Sequence, residues 1–131
     1  NFGESYAEYP RERGELLDFI AKNNIKGVVF LTGDKHYSEL SKRVWNGYPF
    51  YDFTCSPLTT PPLPRRLLGA YHNGNRVNHF DFGRRNFGRI SFAGATGNRN
   101  MKIEIFGRGG YKKKTIMLNQ NELKKINLFS P

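Results

Sequence analysis

The chain has 131 residues, and 21 lysines and arginines against 11 aspartates and glutamates give it a net charge of +10 at pH 7. This length predicts one domain with a hydrophobic core, and an aromatic content of 15% argues against a disordered chain. No apolar run is long enough to span a bilayer, and the single cysteine, Cys55, excludes an internal disulfide.

The basic charge favours anionic partners, namely nucleic acid, an acidic lipid or a phosphorylated small substrate. The alternative is that the charge is solvated surface without a dedicated partner. The sequence carries no signal peptide and begins at Asn1 rather than Met. We therefore expect either a processed product or a piece of a longer protein.

The first part of the chain predicts a helix followed by a buried strand. Pro10 suits a first helical position, and the helical pattern runs from Arg11 to Asn23. Val28 to Leu31 is an unbroken apolar run, which predicts a short strand covered on both faces. A helix, a short turn and a buried strand form the second half of a βαβ unit.

The middle of the chain predicts a hairpin and then a long irregular stretch. Asn46-Gly47 is a strong turn signal between Glu39–Val44 and Tyr48–Thr54, although Tyr37 to Val44 also allows a short helical turn. Ser56 to Pro64 contains four prolines and predicts a loop. Arg65 to Asn78 has no clear period and predicts a second, long loop that is functional or mobile.

The last third predicts antiparallel strands. Gly88 to Phe92 alternates, with Ile90 and Phe92 on one face, and Met101 to Ile105 alternates in the same way. Gly107 to Gly110 predicts the turn before a returning strand, Tyr111 to Leu118. A helical turn is expected around Leu123 and Ile126.

Gly33-Asp34-Lys35-His36, directly after the apolar strand, is the candidate functional segment. Ligands of α/β sheets bind beyond the carboxyl ends of the strands. Carboxylate and imidazole suit Zn, Fe or Mn, and two such residues separated by one position can converge on a pair of metal ions. The spacing alone also allows a turn-capping Asp34 and an ordinary surface His36.

Four segments carry a resemblance to a known family. Residues 28–40, Val-Val-Phe-Leu-Thr-Gly-Asp-Lys-His-Tyr-Ser-Glu-Leu, resemble the final metal-binding motif of the PhoD-like alkaline phosphatases, in the calcineurin-like metallophosphoesterase superfamily. Tyr9 to Ile25 resembles the helix before that motif, and Phe53 to Thr59 resembles the family's Ser-Pro-Leu-Thr strand end. Asn86-Phe87-Gly88 and the strands that follow resemble its C-terminal β segment.

The resemblance implies an α/β fold: the C-terminal portion of a metallophosphoesterase-type β-sandwich flanked by helices, with an antiparallel C-terminal β segment. An N-terminal Asp-containing motif, Gly-Asp-x-x-Asp and Gly-Asn-His-Asp/Glu are also expected of the superfamily and are not in this sequence. Gly74-Asn75-Arg76 and Gly97-Asn98-Arg99 are similar to the last of these but lack its histidine. We therefore expect residues 1–131 to be the C-terminal part of one domain whose N-terminal part is absent.

The resemblance also implies a metal-dependent phosphoric ester hydrolase in which two divalent or trivalent ions activate water. Asp34 and His36 would each bind a different ion, with Ca, Fe, Zn and Mn as candidates. Tyr37, Glu39 and Asn86 would orient these ligands, although a plain polar strand residue is the preferred interpretation of Glu39. The implied partners are a phosphate ester and the missing N-terminal segment, and the implied location is periplasmic or extracellular.

Two other functions remain open from the sequence. One is a basic module that binds nucleic acid or another polyanion, which we expect to be weak and without sequence preference. The other is a catalytically silent fragment or paralogue of the phosphatase. No catalytic residue is assigned, and the chain by itself is expected to be inactive.

His72 and His79 are predicted in exposed loops, and Cys55 is predicted to be a small buried residue rather than a nucleophile.

Overall fold

The computed structural model describes residues 5–63 and 73–124, which form two β-sheets and one α-helix. The helix is α1 (Pro10–Lys22). The strands are β1 (Val29–Thr32), β2 (Ser38–Trp45), β3 (Tyr48–Thr54), β4 (Arg76–Phe82), β5 (Asn86–Ala93), β6 (Asn100–Gly107) and β7 (Lys112–Asn119). Short 3-10 turns occupy Tyr6–Glu8, Arg108–Gly110 and Gln120–Leu123.

The first sheet has the strand order β1-β3-β2-β4. Strands β2 and β3 form the predicted hairpin, and Asn46 and Gly47 both have positive φ in its turn. Strand β1 lies parallel to β3, with Val29 opposite Tyr51 and Thr32 opposite Thr54. The carboxyl ends of β1 and β3 therefore lie side by side at one edge of the sheet.

The second sheet, β5-β6-β7, is antiparallel throughout. Its inner face packs against the first sheet, and the side chains of both sheets form the main core. That core contains Leu40, Tyr51, Phe53, Phe80, Met101, Ile103, Ile105, Leu118 and Leu123. The α/β class, the two facing sheets and the antiparallel C-terminal sheet predicted from the sequence are thus confirmed.

Helix α1 covers the other face of the first sheet. Leu17 and Ile20 are its buried residues, and they pack with Tyr48 and Phe50 of β3. Pro10 occupies its first position, as predicted. Asp18 accepts hydrogen bonds from the indole Nε1 of Trp45 (2.8 Å) and from Asn46 (2.9 Å), which fix the helix to the hairpin.

Two sequence predictions were wrong. The apolar run Val28–Leu31 was expected to be covered on both faces, but β1 occupies an edge of the first sheet and Leu31 is 65% exposed. Val29 packs against the main core and Phe30 against the cluster that includes helix α1, so each face of β1 is covered in part. Leu31 is exposed because, among the described residues, little packs over its position at the edge of the sheet. Among the described residues, only β3 pairs with β1.

The second wrong prediction concerns Arg65–Asn78, which was expected to be a loop throughout. Strand β4 begins at Arg76 and pairs with β2. Phe80 of this strand is buried in the main core, and Val77 packs against that core. His79 consequently lies on a strand, although it is exposed as expected. Residues 64–72, with His72, and the predicted turn residue Ile126 lie outside the described residues.

Candidate metal centre

The segment Gly33–Tyr37 connects the carboxyl end of β1 to β2. The amide of Cys55 donates to the carbonyl of Thr32 (3.0 Å), so Cys55 and Ser56 continue alongside this segment after β3 ends. Asp34 and His36 therefore lie beyond the carboxyl ends of two parallel strands, where the open edge of an α/β sheet accommodates ligands.

The backbone of the segment has an unusual conformation. Asp34 has φ +62° and His36 has φ +59°, in the left-handed region that residues with a Cβ seldom adopt and in which Asp and His are among the more frequent. The amide of Lys35 donates to the carbonyl of Gly33 (2.9 Å), which closes a three-residue turn between them. Strained backbone of this kind is maintained by surrounding contacts and is frequent at functional sites.

Three contacts anchor His36. Its amide donates to Oγ of Ser56 (2.7 Å), and its carbonyl accepts from the amide of Leu63 (2.9 Å). Its ring Nδ1 lies 2.8 Å from the carbonyl oxygen of Pro61. Because a carbonyl only accepts, Nδ1 carries the proton and the lone pair of a neutral imidazole remains on Nε2. This is the second-sphere arrangement that orients histidine ligands of metal ions.

Asp34 differs from His36 in having an exposed side chain. Within residues 5–63 and 73–124, its carboxylate has no hydrogen-bond or ion-pair partner. As far as residues 5–63 and 73–124 are concerned, both of its oxygens are therefore available to a cation.

A buried polar network connects this segment to the second sheet. Asn86, 3% exposed at the start of β5, donates to the carbonyls of Ser56 (2.8 Å) and Arg84 (2.7 Å). The hydroxyl of Ser38 accepts from the amide of Ser56 (3.1 Å) and lies 2.6 Å from Oδ1 of Asn86. Asn86 and Ser38 thus hold the Ser56 backbone, and the Ser56 hydroxyl holds His36.

Tyr37 and Glu39 belong to a different network. Both are buried, and the Tyr37 hydroxyl donates to Oε1 of Glu39 (3.3 Å). Glu39 also accepts from Arg76 (2.9 Å, an ion pair) and Asn73 (2.9 Å). These contacts connect β2 to β4 and its lead-in, and the predicted role of Tyr37 and Glu39 in orienting metal ligands stays a prediction.

Two titratable groups lie near the strand ends. Burial raises the pKa of Asp52, and hydrogen bonds with Thr32 and Thr54 oppose this shift. Burial also raises the pKa of the Cys55 thiol, which is a free cysteine 3.4 Å from Oδ1 of Asn86. Cys55 was predicted to be a small buried residue, and it is partly buried and packs against the main core. A raised thiol pKa disfavours the thiolate, which agrees with the prediction that Cys55 is not a nucleophile.

The donor chemistry of this segment fits a metal ion in part. The free carboxylate of Asp34 and the oriented Nε2 of His36 are suitable ligands for a divalent cation. Among the residues that the structure describes, no three His, Cys, Asp or Glu side chains form a group that could hold an ion. The described chain therefore supplies two donors, which is fewer than a protein normally provides for one catalytic ion.

The sequence identified Asp34 and His36 but gave no role to Ser38 or Ser56. Ser56 was visible only as part of the Ser-Pro pair after β3. Its hydrogen bond to His36 joins residues 20 positions apart and depends on the parallel pairing of β1 with β3.

Comparison with models of known protein families identifies the family of this chain. A model of the family described as PhoD-like phosphatase matches residues 3–102, which is more than half of the chain. The chain belongs to the PhoD-like phosphatase family, and the resemblance drawn from the sequence motifs is confirmed. Separate comparisons with curated proteins and with solved structures found no match.

Proposed function

We propose that this chain forms part of a metal-dependent phosphoric ester hydrolase and that Asp34 and His36 are metal ligands. The observation that carries the proposal is the environment of His36. The hydrogen bond from Nδ1 to the carbonyl of Pro61 leaves the lone pair of the imidazole on Nε2, as in histidines that bind metals. The exposed carboxylate of Asp34, two residues earlier, supplies a second ligand of the appropriate type.

The chemistry that a pair of bound metal ions supplies is a nucleophilic water or hydroxide and neutralisation of phosphate oxygens. The residues of this chain position the ligands for that chemistry. Ser56 fixes the backbone of His36, Asn86 and Ser38 fix Ser56, and Pro61 fixes the tautomer of the imidazole. Asp34 adds a negative charge at the same loop.

Two ligands cannot hold a two-metal centre. We therefore propose that residues outside this sequence complete the site, as the superfamily motifs missing from the sequence suggest. The isolated chain would bind metal weakly and hydrolyse no ester faster than buffer containing the same metal. The preference for monoesters or diesters and the identity of the metal would be set by the completed site.

Hydrolysis of p-nitrophenyl phosphate and of its bis ester tests this function. The chain alone should be inactive, and addition or fusion of the N-terminal part of a PhoD-like phosphatase should produce turnover that EDTA abolishes. In that assembly, H36A and D34N should each remove most of the turnover. The matched control is H79A, which alters an exposed histidine on β4 and should retain activity.

Two results of this assay would contradict the proposal. Robust turnover by residues 1–131 alone would mean that the chain contains a complete site elsewhere. Metal-dependent turnover that H36A and D34N leave unchanged would mean that these residues are not ligands.

A further inference from the structure

The outward face of the second sheet carries an unusual combination of side chains. Directly opposed residues on paired strands point to the same face, so the register defines three rows across β5, β6 and β7. The rows are Phe87-Phe106-Lys112, Arg89-Glu104-Thr115 and Ser91-Lys102-Met117. The alternate residues of these strands, including Ile103 and Ile105, form the main core. We call the nine residues of these rows the outer face.

The outer face is basic because its one acidic group is covered by cations. Glu104 is 1% exposed and lies 2.8 Å from Arg89, 3.6 Å from Lys102 and 3.5 Å from Lys112. The three cations themselves remain 57%, 39% and 56% exposed. The Glu104 carboxylate therefore holds three cationic side chains that remain accessible to an anion. The four side chains together carry a net charge of +2.

An aromatic pair lies beside these cations. The rings of Phe87 and Phe106 are stacked at 5.2 Å with an interplanar angle of 10°, and Phe87 is 44% exposed. The guanidinium of Arg89 lies 4.8 Å from the centroid of the Phe106 ring. A molecule that binds this face would therefore contact the exposed Phe87 ring, the guanidinium group of Arg89 and the ammonium groups of the two lysines.

We propose that the outer face binds single-stranded nucleic acid. The three exposed cations, Arg89, Lys102 and Lys112, are suitable partners for the phosphates of a nucleic acid backbone. Phe87 and the Arg89 guanidinium provide surfaces on which unpaired bases stack without sequence preference. An exposed aromatic ring and an arginine plane beside cations are the combination on which unpaired bases stack, so the observations favour nucleic acid over a sulfated polysaccharide or an acidic membrane.

This surface is separate from the proposed metal centre. Strand β5 contributes to both regions. Its first residue, Asn86, is buried in the polar network near Ser56, whereas the side chains of the outer face point away from the first sheet. Nucleic acid binding at the outer face therefore does not depend on the phosphatase proposal, and either can fail without the other.

Fluorescence anisotropy of a labelled oligo(dT) with the 131-residue chain tests the charge component. We expect a dissociation constant on the order of 10 µM at physiological salt, with affinity falling as salt rises. The double variant K102A/K112A should bind about tenfold more weakly and with a smaller salt dependence. The matched control is R11A/K22A, which removes the same two charges from exposed positions on α1 and should change affinity less than twofold.

The aromatic component is tested by F87L, which keeps an apolar side chain in β5 but removes the ring. Binding of oligo(dT) should weaken about fivefold, while binding of an abasic oligonucleotide should not change. The control is F92L, on the same strand but on the opposite side of the sheet. Thermal unfolding of each variant identifies any loss of affinity that comes from unfolding.

Each remaining outcome contradicts the proposal. Equal losses in K102A/K112A and R11A/K22A would mean that only the overall charge matters. Equal affinity for oligo(dT) and for heparin or phosphatidylserine vesicles, with no effect of F87L, would mean a general anion surface without base stacking. Undetectable binding of oligo(dT) even at low salt would exclude the function.

Discussion

At the scale of single residues, Asp34 shows a conflict between stability and function. Its φ of +62° costs an L-residue roughly 1 kcal/mol relative to glycine, and no contact among the described residues explains why a carboxylate occupies this position. A metal ligand at this point of the loop would explain it.

This conflict predicts that D34G is more stable than D34A. Both variants remove the carboxylate, and they differ only in the Cβ that a positive φ disfavours. The free energy of unfolding should be higher for D34G by about 1 kcal/mol, measured by urea denaturation. Equal stabilities would show that the loop relaxes to another backbone conformation, and the argument from strain would be lost.

Glu104 predicts a dependence of stability on pH. The hydrogen bond from Arg89 lowers the pKa of this carboxyl most strongly, and Lys102 and Lys112 lower it further against the opposing effect of burial. A carboxyl with a lowered pKa in the folded state binds fewer protons there than in the unfolded chain. Its stabilisation is therefore complete above the ordinary glutamate pKa and is lost as the pH falls through the lowered one.

Thermal unfolding of the wild type and E104Q over acidic pH measures this contribution. The difference in melting temperature between the two proteins should be largest near neutral pH and should shrink as the pH falls below the ordinary glutamate pKa. A difference that stays constant down to strongly acidic pH would mean that the charge of Glu104 does not contribute to stability.

At the scale of secondary-structure elements, the close approach of β5 to β3 depends on Gly88. A Cβ at this position would lie 2.7 Å from Cε1 of Phe53 and 3.0 Å from Sγ of Cys55. Phe53 is 3% exposed and part of the main core, so it has little room to move away. This contact also keeps Asn86, two residues earlier on β5, within reach of Ser56.

G88A should therefore destabilise the chain by roughly 1–3 kcal/mol through overpacking. The matched control is G74A, because a Cβ at Gly74 would meet no atom of the described residues within 4 Å. Urea denaturation should show a small change for G74A and a large one for G88A. Similar free energies of unfolding for the two variants would indicate that the sheets separate easily at this point.

The elements also show what the sequence could predict. Alternation and turn residues are local signals, and they located α1, the β2–β3 hairpin and the strands of the second sheet. Strand β4 was missed because Gly74, Asn75 and Asn78 are typical of loops, and the pairing of Arg76 with Ser41 of β2 is a long-range contact. The exposure of Leu31 was missed because an apolar run does not reveal that its strand lies at an edge.

At the scale of the whole molecule, α1, the first sheet and the second sheet form three layers, and the two proposed functions occupy different parts of them. The candidate metal centre lies at the carboxyl ends of β1 and β3, and the outer face lies on the opposite side of the second sheet from the core. None of the helices in the described part of the chain has the length and apolar character needed to cross a membrane.

The order of the motifs along the sequence was enough to predict the family and to choose Asp34 and His36. It was not enough to predict how His36 is oriented, because Ser56 and Pro61 are 20 and 25 positions away from it. These contacts exist only after the strands pair and the loop after β3 folds back. The sequence therefore predicted the candidate ligands and, among the residues of the network behind His36, Asn86, but it did not predict Ser38, Ser56 or Pro61.

The central claim is that Asp34 and His36 bind a metal ion, and paramagnetic broadening by Mn²⁺ in amide NMR spectra of the chain tests it most directly. Titration with Mn²⁺ should first broaden the resonances of Gly33 to His36 and of the neighbouring Ser56, even if affinity is weak. The double variant D34A/H36A should lose this localised broadening, whereas H79A should retain it. Broadening that begins elsewhere, or that D34A/H36A leaves unchanged, would contradict the claim.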